Sequence, residues 1–203
     1  MARPLEFWFE FASTYSYPAA MRVERVAAAR NVAVAWRAFL LAPIFGAQGW
    51  RDSPFNVYPV KGAYMWRDLA RICEKEGLPL RRPSRFPRNG LTAARIVTAA
   101  GAEPAQSWVP AFVRGVYQAN FAEDREISEP DVLADVLTRV GADPAVWLAR
   151  AQEPAVKDAL RAATEAAQAV GIFGAPSFVS GGELFWGNDR LEDALDWHVC
   201  HAA

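Results

Sequence analysis

Cysteine and histidine are scarce in this chain, with two of each in 203 residues. Cys73 and Cys200 are far apart and form neither a C-x-x-C pair nor a metal-ligand spacing, so no disulfide framework and no metal site is predicted. Both read as reduced thiols, one in a helix and one near the end of the chain. His198-Val199-Cys200-His201 has ligand types, but a frayed terminus is the simpler reading. An excess of one charge is also missing. The 22 Lys and Arg meet 23 Asp and Glu, for a formal net charge of −1. That balance argues against a general nucleic-acid binder, although it leaves room for a local basic pocket. Long apolar runs are absent. The stretch from Ala38 to Ala47 is broken by Pro43 and is too short to span a bilayer. Acids interrupt the apolar residues near Met1, so no signal peptide is read and a cytoplasmic, non-membrane protein is expected.

What the chain does have is an ordinary globular composition. Apolar residues make up 52% and charged residues 22%, which argues against disorder. The length suits one domain or two small ones, with a core that needs no disulfide staple. Eight Trp stand out, and most read as core or interface residues.

Leu5, Phe7, Phe9 and Phe11 alternate with other residues and predict a strand. A polar turn follows, and Pro18 opens a helix that runs through Met21, Val23, Val26 and Ala29 towards Asn31. Val32 to Phe39 is a second strand, rich in β-branched and aromatic residues. A short helical crossover favours a parallel pair. From Ala42 to Tyr58 the chain reads as a loop, with Pro43, Gly46, Gly49, Pro54 and Pro59 as breakers. From Val60 to Ala151 helical patterns dominate: a stripe ending at Gly77, then Leu91 to Ala100, Pro104 to Asn120, a capped start at Ser128, and Asp143-Pro144. Pro154 to Val170 is an Ala-rich helix ended by Gly171. Pro176 to Ser180 and Glu183 to Trp186 form a hairpin about Gly181-Gly182, and Leu191 to Val199 is a last helix.

The two ends therefore read β-α-β and α-β-β-α. Neither buries a sheet alone, so they share one. That order predicts an α/β, thioredoxin-like fold with an inserted all-helical domain. Residues 1–42 and 154–203 would form the discontinuous sheet domain, and 43–153 the insert.

In such a fold the chemistry sits where the first strand meets the first helix. Unpaired N–H groups and the helix dipole there favour a negative charge. The turn here reads Ala12-Ser13-Thr14-Tyr15-Ser16, a Ser-x-x-Ser where a redox protein has Cys-x-x-Cys. Without a thiol the turn cannot run disulfide exchange. Ser13 can donate to a sulfur brought in by a ligand, or Ser13 or Ser16 can serve only as a helix cap. Pro176 has two readings as well. It is a proline at the head of a strand, or the cis proline that faces the first turn in this fold. The second reading offers the backbone of Ala175 to an extended, peptide-like ligand.

Three segments carry a family resemblance. Phe7 to Tyr17 resembles F-x-F-D-x-x-S-P-x-S-Y, Phe173 to Phe178 resembles V-F-G-V-P-T-F, and Phe185 to Leu191 matches F-W-G-N-D-R-L. Lys61 to Leu69 adds a fourth. They are similar to the glutathione-dependent 2-hydroxychromene-2-carboxylate isomerases and the related kappa-class glutathione transferases. The resemblance covers nearly the whole chain. It implies glutathione as cofactor and Ser13 as the catalytic residue that stabilises its thiolate. It implies Ala175 and Pro176 against the cysteinyl backbone, and Trp186, Gly187, Asn188 and Asp189 around the γ-glutamyl end. Asn56 and Lys61 would reach the glycyl end or an aromatic acid, and Phe45 and Phe86 would line the aromatic pocket. A small aromatic carboxylate substrate, a role in aromatic catabolism and a homodimer are further implications. Three departures stand out: Thr14 replaces the proline after the serine, Glu10 replaces the commoner Asp, and the loop Trp50 to Asn56 differs.

The resemblance thus implies a glutathione-dependent isomerase interconverting 2-hydroxychromene-2-carboxylate and trans-o-hydroxybenzylidenepyruvate. A kappa-like transferase and a glutathione-binding module without turnover are the alternatives. The stretch Arg81, Arg82, Arg85 and Arg88 reads as a solvated loop, or as an attractor for an anionic substrate.

Overall fold

The computed structural model describes residues 3–103 and 106–201. Pro104, the predicted start of one inserted helix, lies outside the described residues, as do the first two and last two positions assigned to the sheet domain. β1 (Leu5–Phe9), α1 (Ser16–Ala28) and β2 (Val34–Ala38) open the chain. Eight helices follow: α2 (Leu41–Ala47), α3 (Pro54–Val57), α4 (Pro59–Glu76), α5 (Leu91–Gly101), α6 (Val109–Phe121), α7 (Pro130–Arg139), α8 (Pro144–Arg150) and α9 (Pro154–Ala169). β3 (Ser177–Ser180), β4 (Glu183–Trp186), a 3-10 turn at Asn188–Arg190 and α10 (Leu191–His201) complete it. Among the described residues, no helix is long and apolar enough to cross a membrane.

The strands form one mixed sheet in the order β2-β1-β3-β4. β1 runs parallel to β2 and antiparallel to β3, and β3 pairs antiparallel with β4. This is a thioredoxin-like sheet made from both ends of the chain. Phe7 is its centre: it lies opposite Trp36 on one side and Phe178 on the other. Its ring stacks on Phe178 with centroids 5.4 Å apart and meets Trp36 edge-on at 5.1 Å. The alternation in β1 divides two cores. Leu5, Phe7 and Phe9 face a large cluster with α1, α5, α6, α7 and α10. Trp8 faces a smaller one with Phe39, Ile44, Ala167 and Val179. Each fully buried Phe contributes about 1.5–3 kcal/mol over leaving it exposed.

Several expectations change. α1 begins at Ser16, and Pro18 sits inside its first turn, where a missing N–H costs nothing. The segment from Ala42 to Tyr58 is not a plain loop. Pro43 lies in the first turn of α2, Pro54 opens α3 under a Ser53 cap, and Pro59 opens α4. These prolines start helices instead of breaking them. The C-terminus is not frayed at His198: α10 runs to His201, and the buried His198 shares a 2.9 Å hydrogen bond with Ser180. The tryptophans follow expectation: Trp8 and Trp147 are buried, Trp36, Trp66 and Trp108 pack part-buried against the large core, and Trp50, Trp186 and Trp197 are part-exposed or exposed.

Candidate active site

Immediately after β1 the chain turns tightly. The Ser13 N–H donates to the Glu10 carbonyl at 3.0 Å, and the Ala12 N–H donates to Glu10 Oε2 at 3.0 Å. α1 starts three residues later, with its N-terminus at this turn. Ser13 Oγ accepts the Ser16 N–H at 3.3 Å and donates to the Ala175 carbonyl at 2.8 Å. Capping the helix and facing the late proline are therefore two jobs of one oxygen. The Ala175–Pro176 bond is cis. The Ala175 carbonyl, expected to be free for a ligand, is engaged here by the protein's own hydroxyl.

The hydroxyls beside Ser13 are less well served. Thr14 Oγ1 and Ser16 Oγ are buried and have no hydrogen-bond partner. Burial raises the Glu10 carboxyl to about 7, against the opposing effect of the Ala12 and Ser13 N–H groups. The Tyr117 hydroxyl of α6 donates to the Glu10 carbonyl at 2.9 Å, so α6 braces the turn. Asn120, also on α6, donates to the Phe11 carbonyl at 3.2 Å and is itself held by Arg88. Arg88 is 4% exposed and pairs with Asp124, so it is a buried clamp and not part of a solvated arginine loop. Gly90 beside it lies so close to Phe11 that a Cβ there would fall 2.5 Å from the Phe11 Cβ.

The other predicted residues fall into two groups. Trp186 lies opposite Ser177 across the β3–β4 ladder and packs on Phe173 at 4.8 Å. Both rings are about half exposed. Gly187 has φ of 118°, where a side chain would strain the backbone, and its N–H donates to the Pro176 carbonyl at 3.0 Å. Asn188 is buried, with its side-chain oxygen turned inward to Arg22. Asp189 is exposed and accepts from Arg190 at 3.2 Å.

On α3, Asn56 donates to the Asp52 carboxylate at 3.1 Å and to the Phe86 carbonyl at 3.3 Å. Phe86 meets Trp66 edge-on at 5.1 Å. Lys61 lies 5.9 Å from the Phe55 ring. Tyr15 joins this group to the first turn: its ring is 6.3 Å from Phe55 and its hydroxyl donates to Asp68 at 2.9 Å. Burial raises the Tyr15 pKa, and the hydrogen bond to Asp68 raises it further. Phe45 packs instead on Trp50 at 5.6 Å, on α2. Sequence reasoning missed Arg22, Tyr15 and Asp68. Tyr15 and Asp68 had a signal, within the Phe7 to Tyr17 and Lys61 to Leu69 segments; Arg22 had none.

The site has a hydroxyl donor, a helix N-terminus and a backbone carbonyl, but no thiol of its own. Burial raises the Cys73 thiol to about 11, so it is protonated at neutral pH. Cys200 is exposed on α10. Among the described residues, no three His, Cys, Asp or Glu gather into a metal-ion site.

Residues 4–196 match the DSBA-like thioredoxin domain family, and the chain belongs to that family. It is 28% identical over 193 residues to a 2-hydroxychromene-2-carboxylate isomerase of Sphingobium xenophagum, covering 95% of this chain and 96% of that protein. It is 26% identical over 204 residues to glutathione S-transferase kappa 1 of Homo sapiens, covering 95% and 89%. Among solved structures, a 2-hydroxychromene-2-carboxylate isomerase superposes with a TM-score of 0.83 at 26% identity, covering 98% of this chain and 96% of that one.

Proposed function

We propose that this chain is a glutathione-dependent isomerase interconverting 2-hydroxychromene-2-carboxylate and trans-o-hydroxybenzylidenepyruvate. The observation that carries this reading is Ser13, whose hydroxyl stands between the α1 N-terminus and the Ala175 carbonyl in a turn that lacks cysteine. Relatives named as this isomerase, matched end to end, support it.

The residues fit glutathione by their chemistry. When bound, glutathione would supply a nucleophilic thiol for reversible addition to the conjugated acid, the chemistry that makes its double bond rotatable. Ser13 would hold the sulfur by donating its hydroxyl to it in place of the Ala175 carbonyl, beside the α1 N-terminus, which favours negative charge. The Ala175 carbonyl, next to Pro176, would then accept a cysteinyl N–H. Asp189 pairs with the γ-glutamyl ammonium, and the turn from Trp186 through Gly187 and Asn188 shapes that end of the site. Lys61 pairs with a carboxylate, either glycyl or on the aromatic acid. Asn56, Phe86 and, more remotely, Phe45 form the acceptor side. The helical block 43–153 acts as an inserted domain that covers the site. A homodimer, a cytoplasmic location and a place in aromatic catabolism complete the proposal.

A kappa-like transferase is the second reading, favoured by the similarity to glutathione S-transferase kappa 1. Mass spectrometry of the product separates the two. An isomerase returns a product of the substrate's mass, formed only when glutathione is present. A product heavier by one glutathione would replace isomerase with transferase. Turnover without glutathione would sink both.

A further inference from the structure

We infer that Arg22 is a positioning residue for the glutathione site, tying the turn at the γ-glutamyl end to the helix whose N-terminus carries Ser13. The inference rests on the glutathione reading above. Arg22 lies on α1 and is 8% exposed. A buried guanidinium needs acceptors for a planar fork of donors. Nε donates to Asn188 Oδ1 at 3.2 Å, and Nη2 donates to the Asn188 backbone carbonyl. Nη1 and Nη2 also pair with the Glu192 carboxylate of α10. One rigid group thus holds both the side chain and the backbone of Asn188.

The turn is fixed at its other end by the Gly187 N–H on the Pro176 carbonyl. Asp189, the next residue, is left exposed between these two anchors and the start of α10. The contact joins residues 166 positions apart. Its consequence is geometric: α1 sets the sulfur end through Ser13 and the γ-glutamyl end through Arg22. The distance between the two half-sites then follows from α1 and the short turn that leads into it. Lysine cannot replace this fork. It can keep the charge and the Glu192 pair, but its point charge cannot hold two Asn188 oxygens in fixed directions.

The test compares two thiols by titration calorimetry. Glutathione and cysteinylglycine differ by the γ-glutamyl group alone. Wild type, Arg22→Lys and Arg22→Gln are each titrated with both, and melting temperatures are recorded alongside. Arg22→Lys should weaken glutathione at least about tenfold, the loss expected for charged hydrogen bonds. Its cysteinylglycine affinity should stay within about twofold of wild type. A merely structural role would weaken both thiols alike and leave their ratio unchanged. An unchanged ratio in wild type that prefers glutathione overturns the Arg22 inference and leaves the glutathione reading intact. Wild type that binds both thiols equally also overturns it. Wild type that binds neither overturns both. If Arg22→Gln does not fold, Arg22→Lys, with its charge and ion pair retained, decides the matter.

Discussion

The Ser13 hydroxyl donates to the carbonyl of Ala175, 162 positions further along the chain, at 2.8 Å. This bond joins the first turn to the residue before the cis proline, and its donor is the group proposed to hold the thiolate. Ser13→Ala should lower turnover by about 10²-fold, the scale seen when one preorganised donor to a developing anion is removed. Glutathione binding should persist, because the helix end and the Asn188 turn remain. Ultraviolet absorbance of the bound thiolate should titrate at a higher pH in the variant. Equal turnover in the two proteins would remove Ser13 from the mechanism.

Glu10 makes stability depend on pH. Its folded-state pKa is raised from 4.5 to about 7, chiefly by burial. The folded protein therefore holds this proton more tightly than the unfolded chain. The associated stabilisation is full below about 4.5 and is lost as pH rises through about 7. Glu10→Gln has no such proton. The difference in melting temperature, wild type minus variant, should fall steadily across that window. A difference that stays flat would contradict the assignment.

Asp124 acts with the opposite sign. Its carboxyl is lowered from 3.8 to about 2 by the Ser84 N–H and by Arg88. Its contribution is present above about 3.8 and disappears as pH falls through about 2. Asp124→Asn should flatten the acid limb of the stability profile in that interval. Because Arg88 also holds Asn120 against Phe11, the same variant should increase amide exchange at the first turn. An acid limb identical to wild type would argue that the clamp does not depend on this charge.

Gly174 leaves room for Trp186. A Cβ on Gly174 would lie 2.4 Å from the indole Nε1. The indole is about half exposed and can move aside, so Gly174→Ala should cost little stability, within about 1 kcal/mol. The displaced ring should change the tryptophan emission and weaken glutathione binding several-fold. Unchanged affinity would show that Trp186 is not part of the binding surface.

Much of this was legible before any coordinates. The alternation through Leu5, Phe7 and Phe9 marked a strand because a sheet faces two cores at once. The order of elements at the two ends required a shared sheet. What misled was proline. Pro43, Pro54 and Pro59 were expected to break structure, yet each sits in a helical first turn, where its local chemistry looks the same as in a loop. The two buried arginines were illegible for a different reason. Arg22 and Arg88 find their acceptors at Asn188 and Asn120, and no local pattern announces a partner 166 or 32 residues away. Ser13 could be picked out from its place in the turn, but its bond to Ala175 belongs to the tertiary fold.

The order of the sheet also dictates when the site can come into being. β1 carries Ser13's turn, and β3, which delivers Ala175 and Pro176, must slot in beside β1 with β4 on its far edge. On the ribosome, β1, α1 and β2 emerge first and can pair, but β1 keeps a bare edge until the hairpin arrives. Ala175, Pro176 and the turn from Trp186 to Asp189 all belong to the last stretch made. A nascent chain thus lacks the contact between Ser13 and Ala175 until the whole fold is complete.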